Sequence, residues 1–316
     1  MRIVVIGAGC VGCYFGAKLQ VSGNDVVYVA RGKHLDEIKN NKLRVSHENF
    51  FFDDKVNAVS INQLLEGYHC SDFDLIIITL KSTTTAEVFD VIGSWAKKGI
   101  CPILSLQNGV ENEDIISTVV GIERTIGGLV VKIGGSVTRP GAVVAQGDAC
   151  VVLGPWPNIN KNPIGTDITE NIYNALVNSN IKISISNDIK KELWRKLLIN
   201  NSVNPLSALT ELDTRALTSE KTFSKLVYSI MKETALVAKY DDVVLSKKDI
   251  DEMYNLISRF DPIKTSMLID YEKKRELEIE AISGEVIRRG KRHNVATPMT
   301  ELIKALLLAK ISYSYK

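Results

Sequence analysis

The sequence predicts an α/β chain in two parts, a parallel-sheet part over residues 1–187 followed by an all-helical part over residues 188–316. Three observations predict it. Runs such as Ile3–Ile6 and Leu75–Ile78 are apolar throughout, as strands of a parallel sheet buried on both faces are. A glycine-rich turn follows the first run at once, with helical spacing behind it. From about residue 188 onward the apolar spacing is almost purely helical, and that shift sets the expected boundary.

Composition bounds the rest. A chain of 316 residues is comfortable as two domains, each large enough to bury a core. With 45% hydrophobic and 24% charged residues and a net charge of +2, the chain is globular and carries no bulk attraction for nucleic acid or an anionic membrane. Its apolar runs are strand-sized, so no membrane span is expected. Five scattered cysteines, Cys10, Cys13, Cys70, Cys101 and Cys150, suit a reducing cytoplasm rather than a disulfide framework.

Taken in order, Arg2–Ile6 reads as the first strand, Gly7, Ala8, Gly9, Cys10, Val11 and Gly12 as a G-x-G-x-x-G turn, and the residues up to Ser22 and Gly23 as a helix with a glycine cap. Asp25–Ala30 is the second strand. Strand, glycine turn, helix and strand within about thirty residues make a dinucleotide-binding fingerprint of the Rossmann type. Gly9 lets backbone approach a pyrophosphate, Gly12 lets helix and strand pack closely, and the helix N-terminus offers oriented N–H groups to the anion. The acidic residue that usually accepts bonds from the ribose hydroxyls is replaced by Arg31. A guanidinium grips a ribose phosphate through charge-assisted bonds worth roughly 1.5 to 3 kcal/mol each, so NADP(H) is favoured over NAD(H).

Residues 33–72 are expected as small strands and loops over one sheet edge. The next buried strands end in Lys81 and in Gln107, Asn108 and Gly109; ligands of open α/β sheets sit beyond such strand ends, which puts Lys81 and Asn108 at the cofactor mouth. Thr125–Val131, Ala142–Ala145 and Cys150–Gly154 read as the later, partly antiparallel part of the same sheet, followed by a helix near Glu170–Ser179 and a last strand at Lys182–Ile185.

In the helical part, Lys196, Asn200 and Asn204 recur at i, i+4 and i+8 and share one helix face. Leu193, Trp194, Leu197, Leu198, Ile199 and Val203 cover the rest of that helix, so the polar stripe is expected to line a cleft, although such a stripe on an arbitrary helix is solvated surface. Pro205 should end or kink the helix and aim Asn204 forward. Helices are further expected over Phe223–Lys239 and Lys247–Arg259, then one long helix over Ile269–Arg292. Asn294 should take the left-handed cap, and Thr297 should cap a final helix with Pro298 at its first position.

Together with these features, Thr79-Leu80-Lys81, Gln107-Asn108-Gly109-Val110, Glu192–Pro205, Thr265-Ser266-Met267 with Asp270, Glu278-Ile279-Glu280 and Thr297-Pro298 occur in one order over nearly the whole chain. In that set the chain closely resembles the 2-dehydropantoate 2-reductase (ketopantoate reductase) family. The resemblance implies a Rossmann domain that binds NADPH, joined to a helical domain, and delivery of hydride to the 2-oxo carbon of ketopantoate to give pantoate for pantothenate and coenzyme A synthesis. It implies Lys196 as the catalytic lysine, Glu278 beside cofactor and lysine, and Asn200, Asn204 and Ser266 as substrate contacts. Gly7 to Gly12, Arg31, Lys81 and Asn108 match its cofactor contacts. The chain departs from the family pattern at Thr84 (often Gln), Thr214 (a substrate-side Asn) and Thr265 (often Ser), and these bear on which 2-oxo acid is reduced.

The chemistry fits the residues, because hydride addition makes an alkoxide and a lysine ammonium both stabilises it and hands over a proton. Three alternatives are set against this reading. They are a reductase of another small 2-oxo acid, an NADP-sensing regulator that keeps the glycine turn without needing Lys196, and a zinc or redox role for the C-x-x-C of Cys10 and Cys13. The scattered histidines suggest no metal set, and the basic run Arg288–His293 fits an ordinary helix C-terminus. A homodimer is compatible with the sequence, which does not specify it.

Overall fold

A computed structural model describes residues 1–314, and the chain divides into two compact units. The first comprises residues 1–107 and 112–189, the second residues 108–111 and 190–316.

The first unit opens with β1 (Arg2–Ile6), α1 (Cys10–Val21), β2 (Asp25–Val29), α2 (Gly32–Asn40), β3 (Leu43–His47), β4 (Phe50–Asp54), β5 (Asn57–Val59) and α3 (Ile61–Gly67). It continues with β6 (Leu75–Ile78), α4 (Thr85–Ala96), β7 (Ile103–Ser105), α5 (Asn112–Val120), β8 (Thr125–Val131), β9 (Gly134–Arg139), β10 (Ala142–Gln146), β11 (Cys150–Pro155), α6 (Ile164–Asn178) and β12 (Lys182–Ile185). Eight strands form one sheet in the order β12-β11-β8-β7-β6-β1-β2-β5, parallel except where β11 meets β8. Strand neighbours run outward from β1 in both directions, so the switch point lies between β1 and β6.

Continuous apolar runs are required here because successive strand residues point to opposite faces and both faces are covered. Ile3 and Val5 pack with Phe15 and Leu19 of α1, whereas Val4 and Ile6 pack with Phe89 and Ile92 of α4. All of these side chains are buried.

Two expectations are corrected in this unit. Ala142–Ala145 lies in β10, which belongs to a separate four-stranded sheet of order β4-β3-β10-β9. Residues 33–72 contain the helix α2, whose Leu35 and Ile38 are buried, and the β3–β4 hairpin that contributes to this second sheet. Besides its hairpin neighbour β9, β10 pairs with β3, nearly a hundred residues earlier, and a strand partner at such separation leaves no local pattern.

The second unit contains α7 (Ile189–Thr210), α8 (Thr214–Ser219), α9 (Lys221–Ala238), α10 (Lys247–Ser258), α11 (Ser266–Glu272), α12 (Glu285–Arg292) and α13 (Pro298–Ser314), with a π-helical turn at Glu280–Gly284. Leu198, Val203, Leu206, Leu217, Val227, Ile230, Met231, Ile250 and Ile303 make its core. None of its helices, nor any other among the described residues, is long and apolar enough to cross a membrane.

Three helical expectations are corrected. Pro205 does not end α7, which runs on to Thr210. Residues 201–208 are buried without interruption, and that packing outweighs the roughly 3 kcal/mol that an interior proline costs a helix. The single long helix over 269–292 is broken, because Lys274 takes φ +52° after α11 and residues 275–278 are irregular. Asp270 holds this break, its backbone oxygen accepting from Arg275 N at 2.8 Å. Finally, α13 begins at Pro298 as expected, but the hydroxyl of Thr297 is not its cap. The carboxylate of Glu233 on α9 accepts from Met299 N and Thr300 N at 2.9 and 3.0 Å instead. Asn294 does adopt the left-handed conformation, at φ +56°.

Candidate active site

In the first unit the site is built from backbone. Gly7 stands at φ +113°, a conformation side chains resist, and a Cβ there would fall 2.8 Å from Leu80 N. At Gly12 a Cβ would fall 2.1 Å from Gly7 O, so helix and strand meet only without a side chain. Gly9 has open space where a Cβ would go and caps α1 with no side-chain hydrogen bond. The early N–H groups of a helix lack intrahelical partners, and those of α1 follow the glycine turn directly. Gly7 N and Ala8 N donate to Val29 O at 3.1 and 3.0 Å, and Thr79 donates its hydroxyl to Gly7 O at 2.6 Å. The turn is thereby pinned to the carboxyl ends of β2 and β6, the strands flanking β1.

Arg31 follows β2 and is exposed at the start of α2, and Lys81 follows β6, half-buried. Gly7 to Gly12, Arg31 and Lys81 therefore lie at the ends of three neighbouring strands. Thr84 accounts for one departure: its hydroxyl donates to Lys81 O at 2.9 Å and closes the turn that follows this lysine.

The Cys13 thiol beneath the turn is held inside the protein. Cys13 is fully buried, its S–H donates to Ala8 O at 3.2 Å, and burial first, then Cys10, pushes its pKa well up. A thiol held protonated in this way is a poor nucleophile or metal ligand. His34 closes the same region, its Nδ1 accepting from Gly141 N at 3.1 Å, and burial lowers its pKa.

In the second unit the candidate residues meet through side chains. Lys196 Nζ donates to Asn108 Oδ1 at 2.9 Å, and Asn108 Nδ2 donates to Glu278 Oε2 at 2.9 Å. One amide thus presents its acceptor to an ammonium and its donor to a carboxylate. Lys196 and Glu278 are half-buried, where hydrogen bonds to charged groups are worth most. Asn200 and Asn204 lie one and two turns further along α7, half-buried and buried. Ser266 is the exposed first residue of α11, and Thr265 caps that helix, accepting from Leu268 N at 3.2 Å. Thr214 is buried and binds the loop before α11, its N–H donating to Ile263 O at 3.1 Å.

Two supports of this arrangement escape a sequence reading. Arg289 belongs to the basic run expected to be solvated, yet it is 7% exposed. It pairs with Glu285 and Asp241 and donates from Nη2 to Val110 O at 3.2 Å, which fastens the segment carrying Asn108. The i, i+4 spacing of Glu285 and Arg289 is the only local signal of it. Asp249 on α10 takes Arg195 Nη1 at 2.7 Å and Lys191 Nζ at 3.3 Å, bracing α7 beside Lys196. Burial alone would raise its pKa, but bonds from Ser246 and the charge of Lys191 outweigh it and hold the carboxyl at about 2.

Two sequence families match, both on this geometry's halves. The one described as "Ketopantoate reductase PanE/ApbA" covers residues 3–158, and "Ketopantoate reductase PanE/ApbA C terminal" covers residues 188–310. The chain belongs to the ketopantoate reductase family. Members of this family are oxidoreductases. The 2-dehydropantoate 2-reductase of Pyrococcus abyssi is 26% identical over 98% of both chains, and that of Lactococcus lactis 28% identical over 98% of both. Among solved structures, a ketopantoate reductase from Ralstonia eutropha matches with a TM-score of 0.86 at 26% identity over all of both chains. A D-mandelate dehydrogenase in complex with NADH and anilino(oxo)acetate matches with a TM-score of 0.89 at 27% identity over 99% of both. A nicotinamide dinucleotide cofactor fits the family and the open glycine turn alike.

Proposed function

We propose that this chain is a cytoplasmic NADPH-dependent reductase that converts 2-dehydropantoate to pantoate. The observation that carries the reading is the hydrogen-bonded series Lys196, Asn108 and Glu278, which supplies a proton donor and holds it in place. Bound NADPH supplies hydride to the 2-oxo carbon. The protein's residues do the rest. Charge grows on the carbonyl oxygen as the carbon is reduced, and the ammonium of Lys196 stabilises that charge and passes its proton to the oxygen. Asn108 fixes where Nζ points, and Glu278 supplies the negative charge that favours the protonated lysine. Asn200 and Asn204 donate or accept from the polar end of the substrate, and Ser266 at a helix N-terminus takes the carboxylate.

Residues 1–187 hold the cofactor in this reading, through Gly7 to Gly12, Arg31 and Lys81, with Asn108 and Glu278 as further contacts. Arg31 after β2 supports a 2′-phosphate and hence NADP(H). Changing Arg31→Asp is expected to weaken NADPH binding about ten- to a hundredfold and NADH binding far less, measured by titration of each cofactor; equal losses would remove this part of the reading.

A second reading keeps the chemistry and changes the substrate to another small 2-oxo acid. The high structural similarity to a D-mandelate dehydrogenase favours it, as do Thr214 and Thr265 at positions near the proposed substrate contacts. NADPH consumption with 2-dehydropantoate, phenylglyoxylate and branched or linear 2-oxo acids decides between them. Preference for 2-dehydropantoate in kcat/KM supports the first reading, preference for another acid the second, and no turnover of any 2-oxo acid overturns both.

A further inference from the structure

We infer that Cys70 and Cys101 form an oxidisable dithiol, a modification site at which a small peroxide closes an intramolecular disulfide. The two thiols come from segments 31 residues apart, before β6 and before β7, and their sulfurs lie 3.4 Å apart. A disulfide needs about 2.05 Å between sulfurs, so closure asks for a movement of little more than an ångström. Both residues are buried, at 1% and 4% exposure, next to a segment with exposed residues. Gly99 packs on Cys70, since a Cβ there would fall 2.5 Å from its sulfur, and the chain neighbours of this glycine, Lys98 and Ile100, are exposed.

The surroundings favour a thiolate at Cys70 and a thiol at Cys101. Arg124 is held over the pair by two carbonyls, Nε donating to Cys101 O and Nη2 to Ala96 O, each at 3.0 Å. From there Nη2 reaches Cys70 Sγ at 3.9 Å. The Cys101 thiol and this guanidinium outweigh burial and draw the pKa of Cys70 down, while the same interaction pushes Cys101 up. Low pKa beside a cation, with a second thiol in reach, is the environment in which cysteines react with peroxide. Cys13 differs, being held protonated by burial, and the Cys150 sulfur meets Val151 O at 3.7 Å.

The steps balance. The Cys70 thiolate attacks hydrogen peroxide, the S–O bond forms, the O–O bond breaks, and the departing hydroxide takes a proton to become water. The Cys101 sulfur then attacks Cys70, the S–S bond forms, and the S–O bond breaks with loss of a second water that carries the Cys101 proton. Two thiols lose two electrons and one peroxide gains them.

The test treats the full chain with stoichiometric hydrogen peroxide, alkylates the remaining thiols, and maps linked peptides by mass spectrometry. The expected result is a chain lighter by two hydrogens with a Cys70–Cys101 link formed before modification of Cys10, Cys13 or Cys150. In Cys101→Ser, Cys70 is expected to stop at the sulfenic acid and to be trapped by a 1,3-diketone; in Arg124→Gln, link formation should slow about tenfold as the thiolate fraction falls. Oxidation of Cys10 or Cys150 while Cys70 and Cys101 stay reduced in the wild-type chain overturns the inference, whatever the variants do. The readout is mass, so it is independent of which substrate the enzyme reduces.

Discussion

The glycine turn of the first unit and the Lys196–Asn108–Glu278 series of the second serve one proposed reaction and are made in opposite ways. The turn is backbone placed by contiguous residues, with conformations only glycine takes, at Gly7, or with no room for a Cβ, at Gly12. The series is three side chains from positions 108, 196 and 278, with Asn108 bonded at 2.9 Å to each of the other two, beside a helical core that none of them belongs to. Backbone sites tolerate little change in shape, whereas side-chain sites tolerate changes in shape and fail when a charge or a hydrogen bond is removed.

The largest expected effect breaks the side-chain site alone. Lys196→Met keeps the apolar stem and deletes the charge, and should lower turnover by roughly a hundred- to ten-thousandfold, about 2.7 to 5.5 kcal/mol of transition-state stabilisation, with the far-UV spectrum and NADPH affinity nearly unchanged. Near wild-type turnover at saturating cofactor and substrate would remove the catalytic role.

Gly12→Ala breaks the backbone site. Its Cβ meets Gly7 O and Thr79 Oγ1, so the turn must shift, and an overpacking cost of about 1 to 3 kcal/mol is expected together with loss of cofactor affinity. Thermal unfolding and cofactor titration measure both, and a variant that lost affinity with no change in stability would show the turn to be less constrained than its geometry implies.

Asp249→Asn sharpens the contrast by loosening α7 without touching the series. Its folded pKa, about 2, lies below the unfolded value near 3.9, so its stabilisation is complete above pH 4 and is lost as pH falls toward 2. The linkage is on the order of 2 kcal/mol. The variant should be less stable at neutral pH by that order and should lose less of its remaining stability between pH 4 and 2 than the wild-type chain; identical acid unfolding profiles would argue against the assignment.

The smallest effect separates two caps at one helix end. Glu233→Ala removes the acceptor for Met299 N and Thr300 N and should cost about 1 kcal/mol, whereas Thr297→Val removes a hydroxyl that has no hydrogen-bond partner and should be nearly neutral. Denaturant midpoints compare them directly, and the reverse order would return the cap to Thr297.

Several elements were legible from neighbouring residues alone. The βαβ unit, its glycine turn and the arginine after β2 are local features, because strand, turn and helix there are set by hydrophobic period and by glycine's missing side chain. Lys196, Asn200 and Asn204 were legible as one stripe, since helix geometry relates residues four apart. The end of their helix was not, because burial of residues 201–208 overrode the intrinsic effect of Pro205, and burial depends on what packs there. The break before Glu278 was missed for a related reason: Lys273–Glu278 has no glycine or proline to announce it, and a left-handed Lys274 persists because the flanking structure holds it.

The sequence by itself determined the class of the fold, the glycine turn between strand and helix and the polar stripe on α7, since each rests on interactions a few residues long. Only the tertiary structure decided that Asn108 bridges Lys196 and Glu278, that Arg289 is a buried brace and not a solvated cation, that Glu233 caps a helix 65 residues away, and that Cys70 faces Cys101. Those contacts join residues far apart in the chain. Which distant groups meet is set by how whole elements pack, and no short-range pattern encodes it.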